Sequence, residues 1–501
     1  MAVAGGILLY LGRNQWFYFD EWSFLQSPLA ELWQGHGGHW STVALLIWVG
    51  IQGIFGLGSY LPFLAVAVIA HLSVAHLTWR ILRRIGVNDL IATASVAVFL
   101  LLGAASENLF WAFQFGFMGA IALALGAALL SLTPTLSRRR AVSIATLLLL
   151  ASATSGTALP FFAAVAIILW QRQGLRRTAA IMSAPVVVYS AWYLFVAGEN
   201  SNEALKATGI DVLLVPQFAG AMIVDGIDAA SPVPFAGIVI AAAVAWFAFR
   251  TLNRRQDDSA AVALALLGAG LIFALLTGYS RWHTGIESAA SGRYVYVIAL
   301  TFLPVAALML SRATPRTPGR ALAVALMGVI GVFNVGILVQ DAREESSREA
   351  FVQGAISAGV ALADEYPEID TAESPEPEFF PFPLSLAIDL SETDGLQLTA
   401  FNEEERLTAL AGVGLTVRPV DEVSSCSPLA AGTILTAGDI LQTPAAATVQ
   451  VAAIEPEVSQ GHSRSVTLSA GATELGLVDG TALTVTQTAP SAQLCTEGAT
   501  Q

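Results

Sequence analysis

Apolar runs fill the first 340 residues of this chain, and short arginine clusters punctuate them: Arg80/Arg83/Arg84, Arg138/Arg139/Arg140, Arg172/Arg176/Arg177, Arg250/Arg254/Arg255 and Arg312/Arg316/Arg320. No motif restricts the fold as much as this pattern. An apolar stretch in lipid must satisfy its own backbone, which makes it a helix. Composition agrees: 12% of the 501 residues are charged and 55% are hydrophobic, against about 25% charged in a soluble globular chain. Too little polar surface remains to clothe a water-soluble body, which argues against a cytosolic enzyme and against a nucleic-acid partner. The predicted class is a polytopic α-helical membrane protein.

Charge divides the chain in two. Residues 1–340 carry 19 Arg/Lys against 13 Asp/Glu, a net of +6, and residues 341–501 carry 5 against 25, a net of −20. The expected organisation is a membrane body at 1–340, a helix and Pro/Glu-rich linker at 341–380, and an acidic, extracytoplasmic, mainly β domain at 381–501. Cationic loops resist translocation, so the five clusters are taken as cytoplasmic. Spans then fall near 60–79, 89–104, 112–132, 141–154, 157–170, 178–197, 232–249, 259–278, 293–311 and 321–340, with a remnant at 2–11. That makes about eleven crossings, starting inside and ending outside. The apolar segment 41–57 is read as an interfacial helix inside a first outer loop at 12–59, because a crossing there would place Arg80–Arg84 outside. The run 141–170 has basic flanks at both ends, so it must turn back, at Ser152–Thr157. Met1 to Leu11 is shorter than the roughly 20 residues a crossing needs. It is therefore expected to be the remnant of a first span, from a late start or a truncation, and no cleavable signal peptide is evident.

The spans from 112 onward hold no Asp, Glu, Lys or Arg in their interiors before Arg293. Ion pumps and voltage sensors need such groups. The polar chemistry lies in four outer loops, 12–59, 105–111, 198–231 and 279–292. In the first, Asp20 and Glu21 sit among Trp16, Phe17, Tyr18, Phe19, Trp22 and Phe24. A carboxylate there serves as a general base toward a sugar hydroxyl or as a metal ligand; alternatively the stretch is an interfacial aromatic belt with two incidental acids. His36 and His39 flank Gly37-Gly38. No third ligand is spaced with them, so substrate contact is favoured over metal binding. Glu107, Asn108, Trp111 and Gln114 suit a sugar, with rings for its apolar face and polar groups for its hydroxyls; the alternative is a helix cap. Arg281, His283, Arg293 and Tyr294 form the last group. Either arginine could clamp a phosphate, or could pair with Glu287 or the acidic tail. No P-loop, HExxH, G-x-S-x-G or dinucleotide fingerprint occurs.

Taken in order, these motifs resemble the GT-C glycosyltransferases. The shared features are Phe19-Asp20-Glu21-Trp22 after the first span, the interfacial helix, Glu107-Asn108 with Trp111 and Gln114, and Ser291-Gly292-Arg293-Tyr294 with Tyr296. Protein O-mannosyltransferases, lipid A aminoarabinose transferases and bacterial arabinosyltransferases belong to that class. It takes sugar from a polyprenyl-phosphate carrier on the outer membrane face. The resemblance covers roughly residues 10–340. Gly292, between Ser291 and Arg293, departs from the family pattern. The resemblance implies that Asp20 is the catalytic base or orients the acceptor, that Glu21 and Glu107 support it, and that Arg281 or Arg293 holds the donor phosphate. The implied donor is a polyprenyl-phosphate sugar, and the implied acceptor is an envelope glycan, lipid or protein. No cofactor is certain, and a divalent metal stays open. The rival readings are a lipid-linked-sugar flippase, which would carry polar spans or an internal repeat, and a scaffold presenting the acidic domain.

In the tail, alternating runs predict strands at 384–390, 396–401, 433–441, 448–454, 465–468, 475–478 and 482–486, a small sandwich or jelly roll. The only cysteines, Cys426 and Cys495, both lie there. Thiols confined to a translocated domain predict a disulfide.

Overall fold

The structure, a computed structural model, describes residues 1–26, 32–197, 212–252, 257–420, 423–455, 459–460, 463–478, 482–489 and 491–497. Arg254 and Arg255 of the fourth basic cluster, and 198–211 of the third outer loop, lie outside the described residues. The helices in chain order are α1 (Ala2–Leu11), α2 (Glu21–Gln26), α3 (Thr42–Phe55), α4 (Leu61–Arg84), α5 (Asp89–Leu100), α6 (Ser106–Phe110), α7 (Phe115–Ser131), α8 (Arg138–Thr154), α9 (Leu159–Gln173), α10 (Leu175–Phe195), α11 (Val215–Ala229), α12 (Ala236–Leu252), α13 (Asp258–Arg281), α14 (Gly292–Ala313), α15 (Thr317–Glu365), α16 (Leu384–Thr393) and α17 (Glu403–Val413). They divide between two compact units. The first comprises Met1–Gln15, Ser27–Ile51 and Leu61–Glu345; the second comprises Trp16–Gln26, Gln52–Tyr60 and Ser346–Gln501. The division in the last long helix falls between Glu345 and Ser346. The aromatic loop at 16–26 belongs to the second unit.

In the first unit every expected span is helical. Six helices among the described residues are long and apolar enough to cross a bilayer, or seven if α5 and Gly103–Phe110, bent by 53°, form one broken span. These are the proportions of a multi-pass membrane protein. The expected eleven is larger because it also counts α1, α8, α9 and α12, of 10, 17, 15 and 17 residues. The helix boundaries follow local chemistry. Asn88 caps α5 by accepting from the Leu90 N–H, and Ser137 does the same for α8 toward Arg140. The return at 141–170 occurs at Ser155, whose side chain accepts from the Thr157 N–H before Pro160 opens α9. Segment 321–340 and the helix expected after it are one 49-residue helix, α15. At 1.5 Å per residue it is about 73 Å long, over twice a hydrocarbon core. Pro318 lies in its first turn and no proline interrupts it before Pro367.

Among the described residues the second unit carries ten strands: β1 (Leu415–Val420), β2 (Val423–Pro428), β3 (Ile434–Leu435), β4 (Ile440–Thr443), β5 (Ala447–Glu455), β6 (Ser459–Gln460), β7 (Arg464–Leu468), β8 (Gly471–Leu477), β9 (Ala482–Gln487) and β10 (Gln493–Glu497). They form two five-stranded sheets, ordered β1-β8-β4-β10-β2 and β3-β9-β5-β6 with β7 also on β5. Cys426 and Cys495 face each other across β2 and β10 and are disulfide-bonded.

Two expectations for this unit fail. Residues 384–390 form helix α16, not a strand. Leu384-Ser385-Leu386-Ala387-Ile388-Asp389-Leu390 alternates, but it buries Leu384, Ala387 and Leu390, a stripe at helical spacing. Residues 396–401 form no regular element. The expected strand 433–441 is split into β3 and β4 by a turn in which the Asp439 carboxylate accepts from the Thr436 N–H at 2.6 Å. Helix α17, not foreseen, opens on a reciprocal capping box between Asn402 and Glu405.

Candidate functional site

In the second unit the segment Trp16–Trp22 is fastened residue by residue. The Trp16 N–H donates to Glu349 Oε2 at 2.6 Å, the Tyr18 N–H to Glu21 Oε2 at 2.9 Å, and the Phe19 N–H to the Phe379 carbonyl at 3.2 Å. The Tyr60 hydroxyl donates to Glu21 Oε1 at 2.7 Å. Glu21 is 0% exposed. Both of its oxygens accept hydrogen bonds within the unit, which ties the loop to Tyr60. Trp16, Phe17 and Trp22 are buried with it. Asp20 behaves differently: it stays partly exposed at the start of α2. It follows Phe19, whose φ of +47° is left-handed, a conformation costly for a bulky residue and found at functional sites.

In the first unit the bent segment Gly103–Phe110 after α5 carries Glu107 to the start of α14. Glu107 Oε2 accepts from the Ser291 hydroxyl at 2.8 Å and from the Arg293 N–H at 3.1 Å. Its Oε1 lies 3.3 Å from the Arg293 guanidinium. A carboxylate on a helix N-terminus meets unsatisfied N–H groups and the positive end of the dipole. Glu107 is thus the cap of α14, not of the helix that follows it in sequence. Gly292 allows the approach, since a Cβ there would lie 3.1 Å from Glu107 Cβ. Arg293 therefore pairs with Glu107, and its guanidinium also lies over Tyr294.

A second group gathers around the first loop. His36 and His39 pair as an antiparallel bridge, each N–H donating to the other's carbonyl at 2.9 Å. Gly37 and Gly38 between them have φ of +55° and +80°, as a two-residue turn with both centres left-handed requires. The His36 ring meets Phe113 edge-on at 5.4 Å. The His39 ring packs at Gly156, in the turn between α8 and α9. His39 is exposed as a residue, while its ring is crowded by protein at the Gly156 turn. That desolvation, with the positive fields of Arg281 and His36, lowers its pKa to about 4. His39 thus lies within the electrostatic reach of both His36 and Arg281. Arg281 and His283 are exposed, and His283 meets Trp282 edge-on.

The amide and aromatic residues expected to meet a sugar do not face outward. Asn108, Trp111, Gln114 and Tyr294 are buried. Trp111 stacks on Phe113 at 5.5 Å, and Asn108 has no hydrogen-bond partner for either amide atom among the described residues. The alternation of amides and rings in 108–114 records packing of a broken span. No group of three or more His, Cys, Asp or Glu side chains suited to a metal occurs among the described residues.

Sequence reasoning missed His71. Wholly buried in α4, it meets the Tyr296 hydroxyl through Nδ1 at 3.0 Å and the Leu100 carbonyl through Nε2 at 3.2 Å. Nε2 must donate to a carbonyl, so Nδ1 accepts from Tyr296. His71 therefore ties the end of α5, where the span breaks, to α14, where Glu107 lands. A lone histidine in an apolar run gives no signal of such a role. Comparison of the chain with family models, with curated proteins and with solved structures gives no match.

Proposed function

We propose that this protein is an integral-membrane glycosyltransferase moving a sugar from a polyprenyl-phosphate carrier to a cell-envelope acceptor on the outer face. The observation that carries the reading is the contrast between the adjacent carboxylates. Glu21 is buried and committed, whereas Asp20 follows a left-handed Phe19 and remains partly exposed. In this reading Asp20 takes the proton of an acceptor hydroxyl as its oxygen attacks the anomeric carbon. The bond from that carbon to the phosphate oxygen breaks, and polyprenyl phosphate leaves with the electron pair. Within the first unit, the group whose chemistry suits an anionic donor is Arg281 with His36 and His39, and not Arg293, whose guanidinium is engaged by Glu107. An anion beside His39 would favour its protonated form, so donor binding is coupled to proton uptake. The reading places all five arginine clusters in the cytoplasm and residues 341–501 outside.

The test is incubation of membranes containing the protein with a panel of radiolabelled polyprenyl-phosphate sugars. Label should pass from at least one donor into envelope polymer, and Arg281→Ala should raise the donor KM more than Arg293→Lys does. Failure of every donor to yield labelled polymer contradicts the proposal.

A further inference from the structure

The aromatic segment 16–22 sorts its rings into two sets. Trp16, Phe17 and Trp22 are core. Tyr18 is half-buried, and Phe19 is 41% exposed. These outer rings continue into the later part of the same unit. The Phe19 and Tyr18 rings lie 6.1 Å apart, Tyr18 stacks on Phe379 at 5.6 Å and 29°, and the Arg348 guanidinium lies 5.7 Å over Phe379. Four side chains thus form one contiguous row, with Arg348 at one end and Asp20 next to Phe19 at the other. The Phe19 N–H bond to the Phe379 carbonyl fixes the row where two distant stretches of chain meet. Holding an exposed aromatic ring in a left-handed backbone works against folding twice over. Backbone held in this way clusters at functional sites.

We propose that Tyr18, Phe19, Phe379 and Arg348 form a saccharide-binding ledge that presents an acceptor hydroxyl to Asp20. The occupant is a neutral glycan. Its ring C–H faces stack on aromatic faces, and its hydroxyls bond to the guanidinium and the carboxylate. An anionic bilayer surface or a polyanionic polymer is disfavoured by the charge of −20 on residues 341–501. The identity of the glycan as acceptor rests on the glycosyltransferase reading; the ledge itself does not. It gives the acidic unit a task in acceptor binding beyond displaying charge.

The experiment uses the full chain in lipid nanodiscs. Saturation-transfer NMR is recorded with three neutral probes: mannobiose, galactofuranobiose and arabinofuranobiose. At least one should receive saturation on its ring C–H protons. Phe19→Gly should weaken its Kd about tenfold, the loss of one stacked ring, while Phe19→Tyr keeps it. Glycine adopts the left-handed backbone at position 19 without strain, so Phe19→Gly separates the ring from the fold and should melt no lower than the parent. No saturation of any probe in the parent protein, or unchanged affinity in Phe19→Gly, overturns the ledge. So does an effect of Phe19→Gly on lipid association alone, which makes the row an interfacial belt. The two readings fail separately. Probe binding without sugar transfer leaves the ledge and removes the transferase, and transfer undiminished in Phe19→Gly does the reverse.

Discussion

His71 shows how much geometry one side chain can hold. Its imidazole donates to the carbonyl at the break of a span and accepts from a tyrosine on another, so removing it leaves two buried partners unpaired. His71→Ala should lower stability by about 2–4 kcal/mol, combining an unsatisfied carbonyl, an unsatisfied hydroxyl and a cavity. His71→Gln should recover much of that, because a carboxamide can both donate and accept. Thermal melts of the two variants check this, and equal losses would deny the bridging role. His39 provides the pH-dependent counterpart. Its folded pKa of about 4 lies below the ordinary 6.5, so the unfolded chain binds the proton first. The stability His39 contributes is complete above pH 6.5 and is lost as pH falls from 6.5 through about 4. His39→Asn should flatten the acid side of the melting-temperature profile in that window and leave it unchanged at pH 8. Identical profiles would contradict the assignment.

At the scale of elements, the periodic and the punctuated parts of the sequence are the parts that could be read. Apolar runs bounded by arginine mark helices because a membrane helix carries its own hydrogen bonds and needs no distant partner. The turn at Ser155 is legible for the same reason: its hydroxyl acts on a neighbour two residues on. Strands β5, β7, β8 and β9 show in their alternation. Residues 384–390 mislead because leucine and isoleucine there satisfy period two and burial obeys period three to four. The site divides similarly. Asp20 and the His36–His39 turn are local in sequence. The landing of Glu107 on residues 291–293 spans 186 positions, and nothing near Glu107 names its partner. The cysteine pair is an element-scale case that composition did reveal. Its strands face each other across a sequence separation of 69, and closing such a loop contributes roughly 4 kcal/mol on the chain-entropy view. In unreduced, denatured protein neither Cys426 nor Cys495 should react with maleimide, and reduction should release two thiols. Labelling before reduction would contradict the bridge.

For the whole molecule, charge and hydropathy mark the same boundary from opposite sides. The membrane part is arginine-bearing and net +6, and the tail is net −20 with its disulfide. Disulfides persist in oxidising compartments, which agrees with the outside placement proposed from the arginine clusters. The claim on which the functional account stands is the basicity of Asp20. The most direct measurement is initial-rate sugar transfer from a saturating polyprenyl-phosphate donor, comparing the parent protein with Asp20→Asn at equal membrane abundance. The substitution keeps the shape and removes the base, so the account predicts a fall in kcat of about 10²–10⁴-fold with donor KM little changed. An Asp20→Asn protein that transfers sugar at the parental rate would contradict it.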